Sequence, residues 1–328
     1  MRSGIGHVTR RYCELVKGEY CEFTNKPLEK EYDIGFTFIL PVPDQLGLFK
    51  RDFLHLCKKV IVMTVCETDT VNPLFRSLLE FQPIYCPSEF SRDVFKRQFG
   101  GDWRLLRHNT PLPPERTIKP PHPYTFYTIG NVIDFRKNIK MLLEAFIRLN
   151  LPDCILVLKA TSLDKASIQW KIPNVLVIQQ LLTDSELDDL HDNCDCYVNC
   201  SFSEGVGMGA VEAAVRDKPV IISDYGGLKE YVKTPYIIET PIGTVGREDF
   251  LFTEDMKWGK PSLGSLMKHM KYCYDHKITT QDHSYTRSIN DEVLGFFNSC
   301  TRYYTLENKY KMDHPSASPD QPQSLESS

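Results

Sequence analysis

The chain has 328 residues, 39 Lys and Arg against 43 Asp and Glu, 41% hydrophobic and 25% charged residues, a composition that excludes a fibre or a wholly disordered chain. Residues 1–119 hold 18 basic and 15 acidic residues and residues 120–328 hold 21 and 28, so neither half is the basic body that nucleic-acid binding by counterion release requires, and DNA and RNA are not expected partners. The longest apolar runs, Val60–Val65 and Ile155–Leu158 among them, fall far short of the roughly 18 residues that span a bilayer. No apolar stretch backs the opening MRSGIGHVTRRY, so no secretory leader is expected. The eleven cysteines, odd in number and scattered, read as reduced thiols of a cytoplasmic protein.

A chain of this length predicts two domains of about 100–200 residues each. In the first part, short apolar runs (Ile34–Leu40, Val60–Val65, Pro83–Cys86) alternate with amphipathic stretches near Leu46–Leu56 and Phe90–Phe99. That alternation predicts a parallel sheet covered on both faces. The segment NTPLPPERTIKPPHP, Asn109 to Pro123, carries six prolines and can continue neither a helix nor a central strand. It marks an interdomain linker, assigned to 116–124, between a domain at 1–115 and another at 125–284.

After the linker the pattern restarts, with strands expected at Thr125–Ile129, Cys154–Lys159, Val175–Ile178, Cys196–Cys200 and Val220–Ser223 and helices at Ile139–Leu149, Asp184–Asp192 and Ala210–Val215. In the first of these helices Leu142, Ala145, Phe146 and Leu149 have the spacing of one buried face. A helical segment is assigned to 285–312. The Ser/Pro/Asp/Gln-rich run 313–328 has almost nothing to bury and is expected to be disordered.

The most informative segment is SFSEGVGMGAVEAAVRDKPVI, Ser201 to Ile221. An apolar strand runs into a loop with glycines at 205, 207 and 209, and a helix of small residues follows. The loop therefore lies at the carboxyl end of a parallel strand, where open α/β sheets bind ligands. Glycines admit close backbone approach, and the amides at a helix start favour phosphate. Glu204 and Glu212 flank this loop, and carboxylates are good acceptors for sugar hydroxyls. A nucleotide sugar, with hydroxyls at both ends of a diphosphate, satisfies that arrangement. The alternative reading, that both glutamates are solvated and the glycines merely turn the chain, carries similar weight on a short motif alone.

Ser201–Ile221 resembles the E-x7-E signature of the retaining glycosyltransferases of family 4. DKPVIISDYGGLKEYV (Asp217–Val232), with its Gly226-Gly227 turn, and FYTIGNVIDFRKNIKMLLEAF (Phe126–Phe146) are similar to further stretches of that family, as are PSEFS at Pro87–Ser91 and SGIG at Ser3–Gly6. The resemblance covers roughly residues 1–235 and is strongest over 125–232. It implies an α/β fold of GT-B form, with two Rossmann-like domains whose parallel sheets face each other across a cleft. It also implies that the last helix, around Asn290–Tyr304, packs back on the N-terminal domain. Because the strand that precedes the SGIG loop in the family has no counterpart before Met1, it further implies an N-terminally shortened first domain.

By the same resemblance Glu204 would hold donor-sugar hydroxyls, Gly205, Val206 and Gly207 would lie against sugar and phosphate, and Glu212 would accept from the ribose. Gly130 and Asn131 would line the donor site, Asn131 standing where the family usually has an arginine. Lys137, with Arg136 beside it, would neutralise the diphosphate, on which negative charge gathers as the anomeric bond breaks. Gly4 and Gly6 would face the diphosphate and acceptor. Glu67, at a strand end where the family often has a histidine, would serve the acceptor side. The implied activity is retaining transfer of a hexose-type sugar from a nucleoside-diphosphate sugar to a hydroxyl of a glycan, lipid or protein, by front-face displacement without a protein nucleophile. Neither metal nor other cofactor is called for. Peripheral membrane contact is implied only for a lipid acceptor.

Other readings stay open. Glu67-Thr68-Asp69 loosely resembles the acidic metal triplet of the GT-A glycosyltransferases. Cys194, Cys196 and Cys200 with His191 suggest zinc, although Cys-x-Cys-x3-Cys lacks the usual spacing and favours small core residues. A catalytically inactive GT-B-like binding or interaction protein is the alternative from a different class.

Overall fold

The computed structural model describes residues 4–17, 31–113, 122–161, 171–248 and 251–313. The expected linker at 116–124 and the tail beyond 313 lie mostly outside them. Helix α1, Gly4–Leu15, opens the chain. Its stripe of Val8, Tyr12 and Leu15 faces inward at i, i+4, i+7, with Val8 and Tyr12 buried. That period carries the helix back through Gly4 and Gly6, so the two glycines read as a loop form its first turn instead.

Strand β1 (Tyr32–Phe38), helix α2 (Pro43–Asp52), β2 (Cys57–Met63), β3 (Ile84–Cys86), α3 (Glu89–Phe99) and β4 (Trp103–Leu105) follow. The four strands form one parallel sheet in the order β1-β2-β3-β4. Ser88 caps α3 by accepting from the Ser91 amide, and Gly100, at φ 66°, ends it. Phe95 from α3 then stacks on Trp103 with centroids 4.4 Å apart.

In the second half the elements are β5 (Tyr124–Gly130), α4 (Ile139–Leu149), β6 (Cys154–Ala160), β7 (Val175–Ile178), α5 (Asp184–Asn193), β8 (Cys196–Asn199), α6 (Met208–Ala214), β9 (Val220–Ser223), α7 (Leu228–Tyr231) and β10 (Ile237–Ile238). A small antiparallel pair, β11 (Ile242–Thr244) and β12 (Lys257–Gly259), precedes helices α8 (Leu263–Asp275) and α9 (Ser284–Asp313). The main sheet is parallel in the order β10-β9-β8-β5-β6-β7. The chain leaves β5 toward β6 and β7, then crosses to the other side of β5 to lay down β8. The loops after β5 and β8 therefore leave adjacent strands in opposite directions and open a crevice between them.

Cys196 and Cys200 pack in the core under α4 and α8, whereas Cys194 packs in a different core. The three thiols thus fill separate interior positions. Among the described residues no group of three or more His, Cys, Asp or Glu is placed to hold a metal ion.

The two halves share a core. Val8, Tyr12, Ile61 and Tyr85 of the first pack in one cluster with Val206, Ala210 and Tyr231 of the second. Ile289, Val293 and Phe297 of α9 join it, so the start of α9 does lie against the N-terminal sheet. Asn290 exchanges two hydrogen bonds with the Thr110 backbone, at 2.9 and 2.6 Å. Polar ties reinforce the junction. Glu230 of α7 accepts from the first two amides of α3, at Glu89 (2.6 Å) and Phe90 (2.7 Å), and the Tyr231 hydroxyl donates to the Pro87 carbonyl and accepts from the His108 amide.

Candidate functional site

A cleft of about 830 Å³ lies between the halves, its C-terminal wall formed by the loops after β5 and β8. Gly130, Asn131, Arg136, Lys137, Glu204, Gly205, Val206, Gly207 and Glu212 all line it, with Glu67 opposite. Those of the C-terminal wall, from Gly130 to Glu212 in sequence, are brought together by the adjacency of β5 and β8 in the sheet. Gly4 and Gly6 are placed by backbone only, one to two turns before Arg11, which reaches Glu212.

The glycine loop has specific steric reasons for its composition. Gly207 sits at φ 75°, in the left-handed region that favours glycine. A Cβ on Gly209 would meet the Tyr197 hydroxyl at 2.3 Å, and one on Gly227 would meet the Gly205 carbonyl oxygen at 2.0 Å. The Gly226-Gly227 turn therefore packs directly under the glycine loop and fixes its shape.

Glu204 is buried, and four donors converge on it: Lys137 Nζ at 2.6 Å, Ser201 Oγ at 2.8 Å, Arg136 Nη1 at 3.0 Å and Asn199 Nδ2 at 3.3 Å. Burial alone raises a carboxyl, but Lys137 and Arg136 outweigh it and hold Glu204 well below the usual carboxylate range. Arg136 is the hub. Besides Glu204 it donates to the Ser203 carbonyl at 2.7 Å and pairs with Glu67 at 3.0 Å and Asp134 at 3.5 Å. Its charge, read as support for a diphosphate, is balanced by carboxylates here.

Glu67 reaches across from the end of β2. Its Oε1 accepts from the Gly205 amide at 3.2 Å and its Oε2 meets Arg136. Burial pushes its carboxyl above the usual range, Arg136 opposing and Glu204 adding. The residues beside it turn elsewhere: the Thr68 hydroxyl donates to the Thr70 carbonyl, and Asp69 accepts from the Lys257 amide. Glu67, Thr68 and Asp69 thus form no common ligand set.

Glu212, at the other end of the loop, accepts from Arg11 Nη2 of α1 at 2.6 Å, with His191 Nε2 at 3.7 Å. Burial raises its carboxyl, but His191 and Arg11 bring it down to about 2. His191 itself is pushed down by burial. Its Nδ1 lies 2.9 Å from the Tyr127 hydroxyl.

Arg11, Ser201 and Asn199 were not singled out by the sequence reading. The stripe Val8, Tyr12, Leu15 was the available signal for α1, and a helix there puts Arg11, three residues after Val8 and four before Leu15, on the flank of that stripe. Nothing in the sequence pairs Arg11 with Glu212, 201 positions away.

The model of the family Glycosyl transferases group 1 matches residues 114–240, the segment that carries the C-terminal wall of the cleft. No curated protein matches the chain in sequence. Among solved structures it is similar to the sucrose-phosphate synthase of Thermosynechococcus elongatus (TM-score 0.59, 15% identity, 86% of this chain and 74% of that one). It is also similar to the pneumococcal O-GlcNAc transferase GtfA in complex with UDP and GlcNAc (0.58, 12%, 82% and 56%) and to TarM (0.56, 12%, 81% and 54%). The fold is GT-B, two parallel α/β sheets facing across a cleft. The chain spans little more than half the length of TarM and of GtfA.

Proposed function

We propose that the chain is a glycosyltransferase that moves a hexose-type sugar, with retention, from a nucleoside-diphosphate sugar to a hydroxyl of a glycan, lipid or protein acceptor, without a metal. The observation that carries this reading is the convergence of Lys137, Glu204, the Gly205–Gly209 loop and Glu212 on one wall of an interdomain cleft. The similarity to a transferase solved with UDP and GlcNAc supports it.

In this reading Glu212 accepts from ribose hydroxyls and the glycine-loop amides meet sugar and phosphate oxygens. Lys137 stands over the diphosphate and stabilises the charge that collects on the leaving oxygen. The bond from the anomeric carbon to phosphate breaks as the acceptor oxygen bonds on the same face, and the acceptor proton passes to the departing phosphate oxygen. Glu204 keeps Lys137 in place and receives a sugar hydroxyl. The N-terminal half holds the acceptor, and the cytoplasm is the proposed location. No helix among the described residues is long and apolar enough to cross a membrane, and a lipid acceptor would be met at the membrane surface.

A second reading, a nucleotide-sugar binder without turnover, is favoured by one observation: the Arg136 charge is balanced by Glu67 and Glu204. Thermal shift and sugar-release assays with UDP-, GDP- and ADP-sugars, without metal, beside Glu212→Ala, separate the readings. Stabilisation by one donor that the variant loses, with release or transfer of its sugar, supports the transferase. The same stabilisation without turnover on any acceptor supports the binder. No shift with any donor refutes both.

A further inference from the structure

Two side chains of the N-terminal half sit on groups that the proposed donor site needs. Arg11 donates to Glu212, the carboxylate assigned to ribose hydroxyls. Glu67 accepts from the Gly205 amide and pairs with Arg136, donors assigned to sugar and phosphate oxygens. The polarity matches at both ends: a hydrogen-bond donor covers the acceptor that would meet hydroxyls, and an anion covers the donors that would meet anionic or hydroxyl oxygens. We propose that the N-terminal half occupies both ends of the donor site with these side chains, so that a nucleotide sugar has to displace Arg11 from Glu212 and Glu67 from Gly205 and Arg136. This inference rests on the donor-site reading above.

Three further observations support it. The first is charge. Arg136 and Lys137 bring two positive charges to the cradle, and Glu67 and Glu204 cancel them. Asp134 adds a third carboxylate beside Arg136, so with Glu67 turned away the cradle goes from a net negative charge to balance, which removes a repulsion that a diphosphate would meet.

The second is incomplete satisfaction. Arg11 Nη1 is buried without a hydrogen-bond partner, and so is His191 Nε2, on the other side of Glu212. Buried polar nitrogens without a full hydrogen bond oppose the arrangement that leaves them so, and the Arg11–Glu212 contact is therefore not a fully satisfied interface pair. Ribose oxygens arriving at Glu212 as Arg11 leaves would supply a partner to His191 Nε2, and Arg11 would be released to water.

The third is mechanical. The halves are pinned elsewhere, by Glu230 on the α3 amides, by the Tyr231 hydroxyl, and by Asn290 on Thr110. Arg11 and Glu67 can therefore swing aside without separating the halves, and Arg136 keeps Glu204 and Asp134 as partners when Glu67 leaves.

The test is calorimetric titration of the full chain, Glu67→Ala, Arg11→Met and the double variant with UDP, GDP, ADP and their glucose esters. A site populated in its open form only a fraction of the time binds more weakly by that fraction. Removing an occupant should therefore tighten binding, by about tenfold for each variant if the open form is about a tenth of the population. Arg11→Met should tighten the bare diphosphate and its glucose ester alike, because it opens the ribose end. Glu67→Ala should tighten the glucose ester more. Binding by the wild type that is equal or stronger than by folded variants overturns the inference and leaves the donor site standing. Binding by none of the folded chains overturns both. Should Arg11→Met fail to fold, Glu67→Ala decides alone, since it strands no charge.

Discussion

Replacing Glu212 by Gln tests the electrostatics of the site without removing its shape. The side chain is only 16% exposed and pairs with Arg11 at 2.6 Å. Burial raises its carboxyl, yet His191 and Arg11 bring it from the ordinary 4.5 to about 2. At about 1.4 kcal/mol per pH unit, that displacement is worth roughly 3 kcal/mol of folding stability. The folded value lies below the unfolded one, so this stabilisation is fully present above about pH 4.5 and disappears as the pH falls to about 2. Glu212→Gln should lower the melting temperature at pH 7 by about 6–12 °C, at roughly 2–4 °C per kcal/mol for a domain of this size. The gap to the wild type should close between pH 4.5 and 2. Scanning calorimetry or urea unfolding at pH 7, 5, 4 and 3 reads both. A gap that stays constant with pH, or a variant as stable as the wild type at pH 7, would refute the assignment of Glu212 as a buried, paired carboxylate.

Lys137→Met leaves Glu204 with Arg136, Ser201 and Asn199, so the fold should survive while any sugar transfer drops by about 10²-fold or more, as for loss of a group that stabilises leaving-group charge; a transfer assay that finds the rate unchanged rejects its role. Gly227→Ala should be strongly destabilising and abolish nucleotide binding, because its Cβ would lie 2.0 Å from the Gly205 carbonyl. Gly47→Ala, at an exposed position of helix α2 where a Cβ would meet nothing within 4 Å, should stabilise by about 0.5–1 kcal/mol in chemical unfolding. Burial pushes the Cys66, Cys154 and Cys200 thiols up to about 12, so mass spectrometry after native alkylation at pH 8 should find the half-buried Cys13 and Cys57 labelled before the buried cysteines among the described residues; early labelling of Cys200 would contradict its place in the core.

The C-terminal wall of the cleft was legible because its strands are buried on both faces and read as continuous apolar runs. Helix α4 has the bounds that its Leu142, Ala145, Phe146, Leu149 stripe predicts, and β7 and β9 also match residue for residue. In the first half the expected strand Val60–Val65 is instead Cys57–Met63, and Ile34–Leu40 is Tyr32–Phe38. Each pairs by backbone before its apolar residues begin, at Tyr32 with Cys57, where side chains are half-buried or exposed and hydropathy carries no signal. The helix expected over Leu46–Leu56 ends at Asp52, with Phe53 leaving helical geometry. The short β10, β11 and β12 were not foreseen, because two or three residues cannot establish a period. At the site, residue types were readable wherever a loop and its strand are contiguous in sequence. The contacts of Arg11 and Glu67 were not, because they depend on how the two halves dock.

The carboxylate of Glu230 on the first amides of α3 has a consequence for how the molecule comes apart. A helix start normally takes its cap from its own chain a residue or two upstream; here part of that cap comes from 140 residues downstream, in the other sheet's layer. Together with the shared core around Tyr12, Val206 and Tyr231, this denies either half a finished surface of its own. The two sheets then melt as one cooperative unit, and a polypeptide cut within 114–121 would yield two fragments that are each stable only in the other's presence.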